Sequence, residues 1–332
     1  MRYTNRPILE FKWWGYMTIE NTAASEGLGR KILARTAWPV LLILCICTTA
    51  YGFAIDRPVI VFNLTYLALA VALYLLERNM PFEKTWLEND GQTFANIAHT
   101  LTSKGLVQGL VTFSGVIGIT AYITPMQGEG YGIWPRDWPL AIQVIMTLVA
   151  AEFGLYWAHR ISHEWKPLWK FHAIHHSVTR LWIVNTGRFH FIDSLLSIVL
   201  GISIPLALGA PLEAITWLSA ITAYIGMLTH CNVDMRFGLL SMVFNTPGLH
   251  RWHHSKKIVE GNRNYGENLM VWDMIFGTWI NPDRRPPARI GITEEMPTSF
   301  PAQLVWPFKE IKELDQEGWT TLINEENTKP KV

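Results

Sequence analysis

Eight of the eleven histidines in this chain fall in three short clusters: His159 and His163 in "YWAHRISHEW", His172, His175 and His176 in "WKFHAIHHSVTR", and His250, His253 and His254 in "GLHRWHHSKK". Residues four apart share one face of a helix, so His159 and His163 aim at a common point. Each HxxHH cluster has partners at both i+3 and i+4. That spacing directs imidazoles at two neighbouring points, which suits two metal ions better than one. Neutral imidazole binds iron, zinc, copper or nickel. His190 in "GRFHFID" and His230 in "LTHCNVD" are further candidates, which brings the ligand set to ten and leaves only His99 to the ordinary role of a polar structural partner.

The face carrying His159 and His163 extends backwards through Tyr156 to Glu152, an acid in an otherwise uncharged apolar stretch, where an ionisable group is costly. Glu152 is expected to accept an imidazole N–H and so orient a ligand. Asp193, three residues after His190, and Asn264, which opens "NYG", are candidates for the same supporting work. Their alternative is capping or turn formation, which Asp and Asn favour. Other chemistries find no pattern. "HEWKP" lacks the second histidine of an HExxH zinc hydrolase, and no GxSxG, Walker or dinucleotide fingerprint occurs. Axial haem ligation explains one histidine per helix but not adjacent pairs.

The elements that must position these residues are membrane helices. Of the 332 residues 49% are hydrophobic and 17% charged, below the roughly 25% charged usual in soluble proteins. A net charge of +1 gives no basis for nucleic-acid binding. Cys45, Cys47 and Cys231 form neither a disulfide framework nor a CxxC pattern. Four stretches reach the length of about 20 residues that a spanning helix needs: Ala37 to Ile55, Pro58 to Leu76, Leu106 to Thr124 and Trp138 to Ala158. A fifth region, Leu195 to Thr229, is broken by Gly201, Pro205, Gly209, Pro211 and Glu213, and reads either as two short spans or as a re-entrant hairpin. The expected fold is an all-α integral membrane protein of about four transmembrane helices plus a broken helical hairpin, with a helical histidine-rich region at one face. The corresponding divisions are 1–36, an interfacial segment; 37–137, the first three spans and their loops; 138–280, the histidine region; and 281–332, an amphipathic tail suited to a membrane surface.

Lys and Arg are concentrated before the first span, between the second and third, and after the fourth, where Arg160, Lys166, Lys170, Arg180 and Arg188 lie; the opposite side has only Arg57 and Arg136. The positive-inside rule therefore puts every histidine cluster on the cytoplasmic face.

"YWAHRISHEWKPLWKFHAIHHS", "GRFHFIDSL", "LTHCNVD", "NTPGLHRWHHS" and "NYGENLMVWDMIFGTW" together resemble the fatty acid hydroxylase/sterol desaturase superfamily, whose signature is HxxxH, HxxHH and HxxHH in this order. The likeness covers roughly Trp138 to Trp279. Phe191 departs from it, standing where many relatives have proline. The resemblance implies a non-haem di-iron centre at the cytoplasmic face that activates O2 and oxidises a lipid C–H bond to an alcohol or an alkene. It implies His159, His163, His172, His175, His176, His230, His250, His253 and His254 as ligands, with His190 as a tenth. The chain has no haem, flavin or iron–sulfur signature, so electrons must come from an outside donor of cytochrome b5 or ferredoxin type, expected to dock near Lys166, Lys170, Arg180 and Arg188. Trp138, Trp157, Trp165, Trp169 and Trp182 are expected at the membrane interface. Desaturation is the alternative reaction. A metal carrier is the alternative of another class, but it would need ligands distributed along the spans, which are bare.

Overall fold

The computed structural model describes residues 27–106, 109 and 132–309. The expected third span, Leu106 to Thr124, falls almost entirely outside these residues, as do Arg2, Arg6, Lys12 and the tail beyond 309.

Among the described residues the regular elements are all helices, joined by loops that carry isolated bridges such as Phe244 with Leu269. α1 (Leu28–Ala54) and α2 (Pro58–Asn79) form a tight hairpin through Asp56, whose φ is +56°. α3 (Thr93–Ala98) continues into a π-helical turn, His99–Leu106. Next come α4 (Leu140–Glu164), α5 (Lys166–His176), α6 (Phe191–Leu208) and α7 (Leu212–His230). Short helices follow: α8 (Leu240–Val243), α9 (Pro247–His253), α10 (Ile258–Gly261), α11 (Val271–Phe276) and α12 (Phe300–Val305).

Five helices, α1, α2, α4, α6 and α7, are long and apolar enough to cross a membrane. The broken region thus consists of two spans. Pro205 sits inside α6, and the turn falls at Gly209, whose φ of +88° ends that helix in the left-handed conformation glycine adopts freely. Between them α1, α2 and α7 bury Trp38, Leu42, Leu69, Leu73, Trp217 and Tyr224. The Tyr224 hydroxyl lies 2.7 Å from that of Thr49, a polar tie between spans where no water is on hand to serve either group. α4 lies directly on α6: a Cβ on Gly154 would fall on the Leu200 carbonyl, and one on Gly201 would meet the Leu155 side chain. Small residues at this crossing let the two backbones meet.

One end of the bundle gathers the chemistry. Arg236 N–H donates to Ala34 near the start of α1, and Asp234 N–H donates to Met80 just past α2. The last turns of α4 and α7 and the first turn of α6 lie at the same end, tied to α5 and α9 through side chains. At the far end, Ile133 N–H donates to Leu208, and Gln143 near the start of α4 donates to Arg136. Part of the expected surface tail is instead folded onto the protein. Trp306 packs with Trp169 and Ala173, and Gln303 is fully buried beside His99.

Candidate metal centre

α4 runs one and a half turns past the expected end of its span, which carries His159 and His163 on the continuous helix. The chain turns at the extended residue Trp165, and Pro167 in the first turn of α5 restarts the helix that holds the second cluster. The third cluster rides on α9, also opened by a proline, Pro247, and ends one residue beyond it at His254. His230 is the last residue of α7.

These elements gather nine imidazoles into two groups. His159, His163, His172, His176 and His253 form one, and His175, His230, His250 and His254 form the other; within each group the possible ligand atoms lie within 4.8 Å of one another. The two groups adjoin, since the rings of His176 and His254 stack with centroids 4.3 Å apart. The division follows helical spacing. In the second cluster the i, i+4 pair His172 and His176 faces the larger group while His175 crosses to the smaller. In the third, the i, i+4 pair His250 and His254 faces the smaller group and His253 crosses to the larger.

The hydrogen bonds on the outer nitrogens fix what the inner ones can do. His159 Nδ1 lies 2.7 Å from the Tyr265 carbonyl and His253 Nδ1 lies 2.7 Å from that of Arg263. His175 faces the Arg188 carbonyl at 3.2 Å, His230 that of Gly226 at 3.0 Å, and His172 the Asp193 carboxylate at 2.9 Å. A carbonyl only accepts, so each of these Nδ1 atoms donates and its neutral ring presents a bare Nε2. Yet the Nε2 atoms of His159 and His253 stand 2.9 Å apart, two lone pairs facing without a proton between them. His176 Nε2 lies 3.0 Å from that of His163 and 3.1 Å from that of His172; His254 Nε2 similarly meets those of His175 and His250 at 3.2 and 3.0 Å. One N–H cannot serve two such neighbours, whereas a cation among them satisfies all. The donor set therefore fits metal ions. Burial first, and neighbouring imidazoles second, push His175, His176, His250, His253 and His254 well below the usual histidine pKa, which keeps them in the neutral form that ligation needs.

His190 does not join either group. Its Nδ1 accepts from Ile192 N–H, capping α6, and its Nε2 donates to the Leu304 carbonyl at 3.3 Å. Ten expected ligands become nine that converge. His99 is likewise a buried structural ring, held by the Phe189 carbonyl and Gln303. Asp193 meets a ligand, His172, as noted. Glu152 touches no imidazole: its carboxylate accepts the backbone N–H groups of Glu267 and Asn268 and the Asn268 amide, anchoring the loop whose Tyr265 carbonyl receives His159. Asn264 acts similarly at one remove. With φ at +55° and its amide bonded to Leu249 and Ile280, it sits between the two carbonyls that receive His253 and His159.

Sequence reasoning missed Asn262, whose side-chain amide oxygen meets His163 Nδ1 at 3.2 Å, and Asp273, which accepts the N–H groups of Tyr265 and Gly266 and so holds the loop beneath His159. Asp273 stands in the "NYGENLMVWDMIFGTW" stretch that carries the resemblance, a signal that could have found it, whereas no motif spacing marks Asn262. The expected donor-docking bases need correction. Arg188 is fully buried, bonded to Ile174, Asn96 and Ser177, and Arg180 is buried in a two-point pairing with Asp90. Trp169 and Trp182 are also buried, the latter beneath the Arg180 guanidinium, while Trp157 is half-buried and Trp138 and Trp165 are exposed.

A profile of the fatty acid hydroxylase family matches residues 144–278. The chain is 51% identical over 274 residues to the ornithine lipid hydroxylase OlsE of Rhizobium tropici, covering 82% of each chain. It is 29% identical to the alkylglycerol monooxygenase of Homo sapiens over 55% of this chain and 40% of that one. It is 28% identical to the Delta(7)-sterol 5(6)-desaturase of Eremothecium gossypii, over 43% and 39% respectively. No solved structure matches it. With its histidine clusters on membrane helices and a relative this similar over most of its length, the chain belongs to the fatty acid hydroxylase family.

Proposed function

We propose that this integral membrane oxidoreductase is a lipid C–H hydroxylase whose nine convergent imidazoles hold two irons on the cytoplasmic side. The facing Nε2 atoms of His159 and His253, 2.9 Å apart with both Nδ1 atoms committed to carbonyls, carry the reading, because a metal cation shared between them satisfies both. Two irons, when bound, supply the activation of O2 that an unactivated C–H bond demands. Overall, R–H, O2, two electrons and two protons become R–OH and water.

The protein's own part is geometry and exclusion of water. Carbonyls of Tyr265, Arg263, Arg188 and Gly226 orient the rings of His159, His253, His175 and His230 for binding. Phe189 stacks flat on His175, centroids 4.2 Å apart, and the nine rings are almost wholly buried, which keeps bulk water from the oxidant. The acyl chain of the substrate enters laterally from the bilayer between spans. The name of the Rhizobium relative favours an amino-acid-bearing polar lipid as substrate. The excess of Lys and Arg at the histidine end favours the cytoplasmic side.

A carrier fits less well. Among the described residues, the buried acids of the spans do not face a path: Glu77 and Glu152 are held by backbone N–H groups and Asp193 by His172. The test compares lipid extracts of host cells with and without the protein. A lipid heavier by one oxygen, labelled when labelled O2 is supplied, is expected; a loss of two hydrogens instead would make it a desaturase, and no change would refute both.

A further inference from the structure

The burial of Arg180 and Arg188 leaves only Lys166 and Lys170 of the basic surface that the sequence suggested for an electron donor, and the structure offers a larger one. Lys256, Lys257, Arg284, Arg285 and Arg289 are all exposed, on two segments joined across the third histidine cluster. Ser255 bridges to Ile290, and Gly291 N–H points at the His254 carbonyl, so this surface is one residue from a candidate ligand. The bases are oriented rather than loose. Arg284 pairs with Glu260 and lies 4.2 Å over the indole of Trp252, the neighbour of His253, while Arg285 pairs with Glu83 and lies over Phe82.

Resting on the hydroxylase reading, we propose that this surface is where a small acidic one-electron carrier protein docks. Charge complementarity selects an acidic partner, and docking here sets it beside Trp252 and the residue next to His254. A lipid surface is the weaker match. Segments that lie on membranes present apolar anchors beside their bases. Among the described residues, such anchors include Met274, Ile275 and Phe276 on α11 and Val305 and Phe308 around α12, whereas positions 277–291 expose no large apolar side chain and Val259 is the only one exposed between Ser255 and Gly261. Each turnover needs two electrons, so the carrier docks twice, giving up one electron per visit.

The experiment titrates the full-length protein, in nanodiscs and loaded with metal, with a strongly acidic plant-type ferredoxin. The variants are K256E/R289E, which breaks no ion pair described above, and K166E/K170E on the other basic strip. Binding by the wild type weakens with added salt, since screening at 0.1 M acts over about 10 Å. K256E/R289E is expected to weaken ferredoxin binding about tenfold or more while metal per chain is unchanged, and K166E/K170E to leave binding intact. Equal affinity of the wild type and K256E/R289E overturns the proposal. So does a loss confined to K166E/K170E, or a K256E/R289E protein that keeps ferredoxin but releases phosphatidylglycerol vesicles. Product formation is read separately with dithionite as reductant: its absence in the wild type refutes the hydroxylase reading, while the ferredoxin titration still decides the docking face.

Discussion

The two imidazole groups are built from the same clusters but are not equivalent. In the five-membered group, four of the rings have their Nδ1 hydrogens placed: His159 and His253 on backbone carbonyls, His172 on Asp193 and His163 on Asn262. In the four-membered group only His175 and His230 are so held, and the Nδ1 atoms of His250 and His254 are buried without a hydrogen-bond partner. A buried polar atom left alone costs roughly 1–3 kcal/mol. The larger group is therefore preorganised, with its tautomers fixed before any ion arrives. The smaller group has one ring fewer and two rings whose outer nitrogens no protein group orients.

The largest effect expected is from His176→Ala. This ring touches His163 and His172 within its own group and stacks on His254 of the other, so its loss should empty both groups and reduce oxygenated lipid to background. Elemental analysis per chain together with lipid mass spectrometry checks it; a variant keeping both ions would show the groups to be independent. Next is the order of release. Titration with a chelator should remove one ion before the other, and His250→Ala should lose the early-leaving ion alone; a single-phase release would erase the distinction between the groups. Asp193→Ala comes third. Removing a carboxylate that orients a ligating imidazole typically costs about 10- to 100-fold in metal affinity, here expected for the late-leaving ion and measured by competition with a fluorescent chelator.

The smallest effect belongs to His190→Ala. Losing the cap on α6 should lower stability by about 1 kcal/mol, seen as a lower thermal midpoint, with metal content unchanged. Metal loss in that variant would restore a tenth ligand and redraw both groups.

The three clusters and His230 were legible because helical spacing and membrane exits are local properties of sequence, and together they dictate which end of the bundle each ring occupies. The split of each HxxHH between two points follows from the same arithmetic, and the structure displays it in opposite senses. His190 was not legible, because a histidine just before a helix looks the same whether it caps that helix or reaches for an ion. Glu152 was misjudged for a related reason. Its helical face could be read, but not the loop at Glu267 and Asn268 that folds down to occupy its carboxylate first. Arg180 and Arg188 illustrate the limit of counting charges, since the positive-inside tally cannot see that Asp90 and Asn96 bury them.

The close crossing of α4 on α6 has a consequence for how the molecule is made. Ribosomes deliver His159 through His176 early, but α6 and α7 must insert and Gly154 must meet Leu200 before Pro247–His253 can swing beneath them. Metal binding by the two groups is thus coupled to this last docking step, since both need histidines of the third cluster. In iron-starved cells, newly translated copies are expected to stall with the third cluster undocked, a state that quality-control proteases can distinguish from the finished enzyme by cutting within residues 247–261.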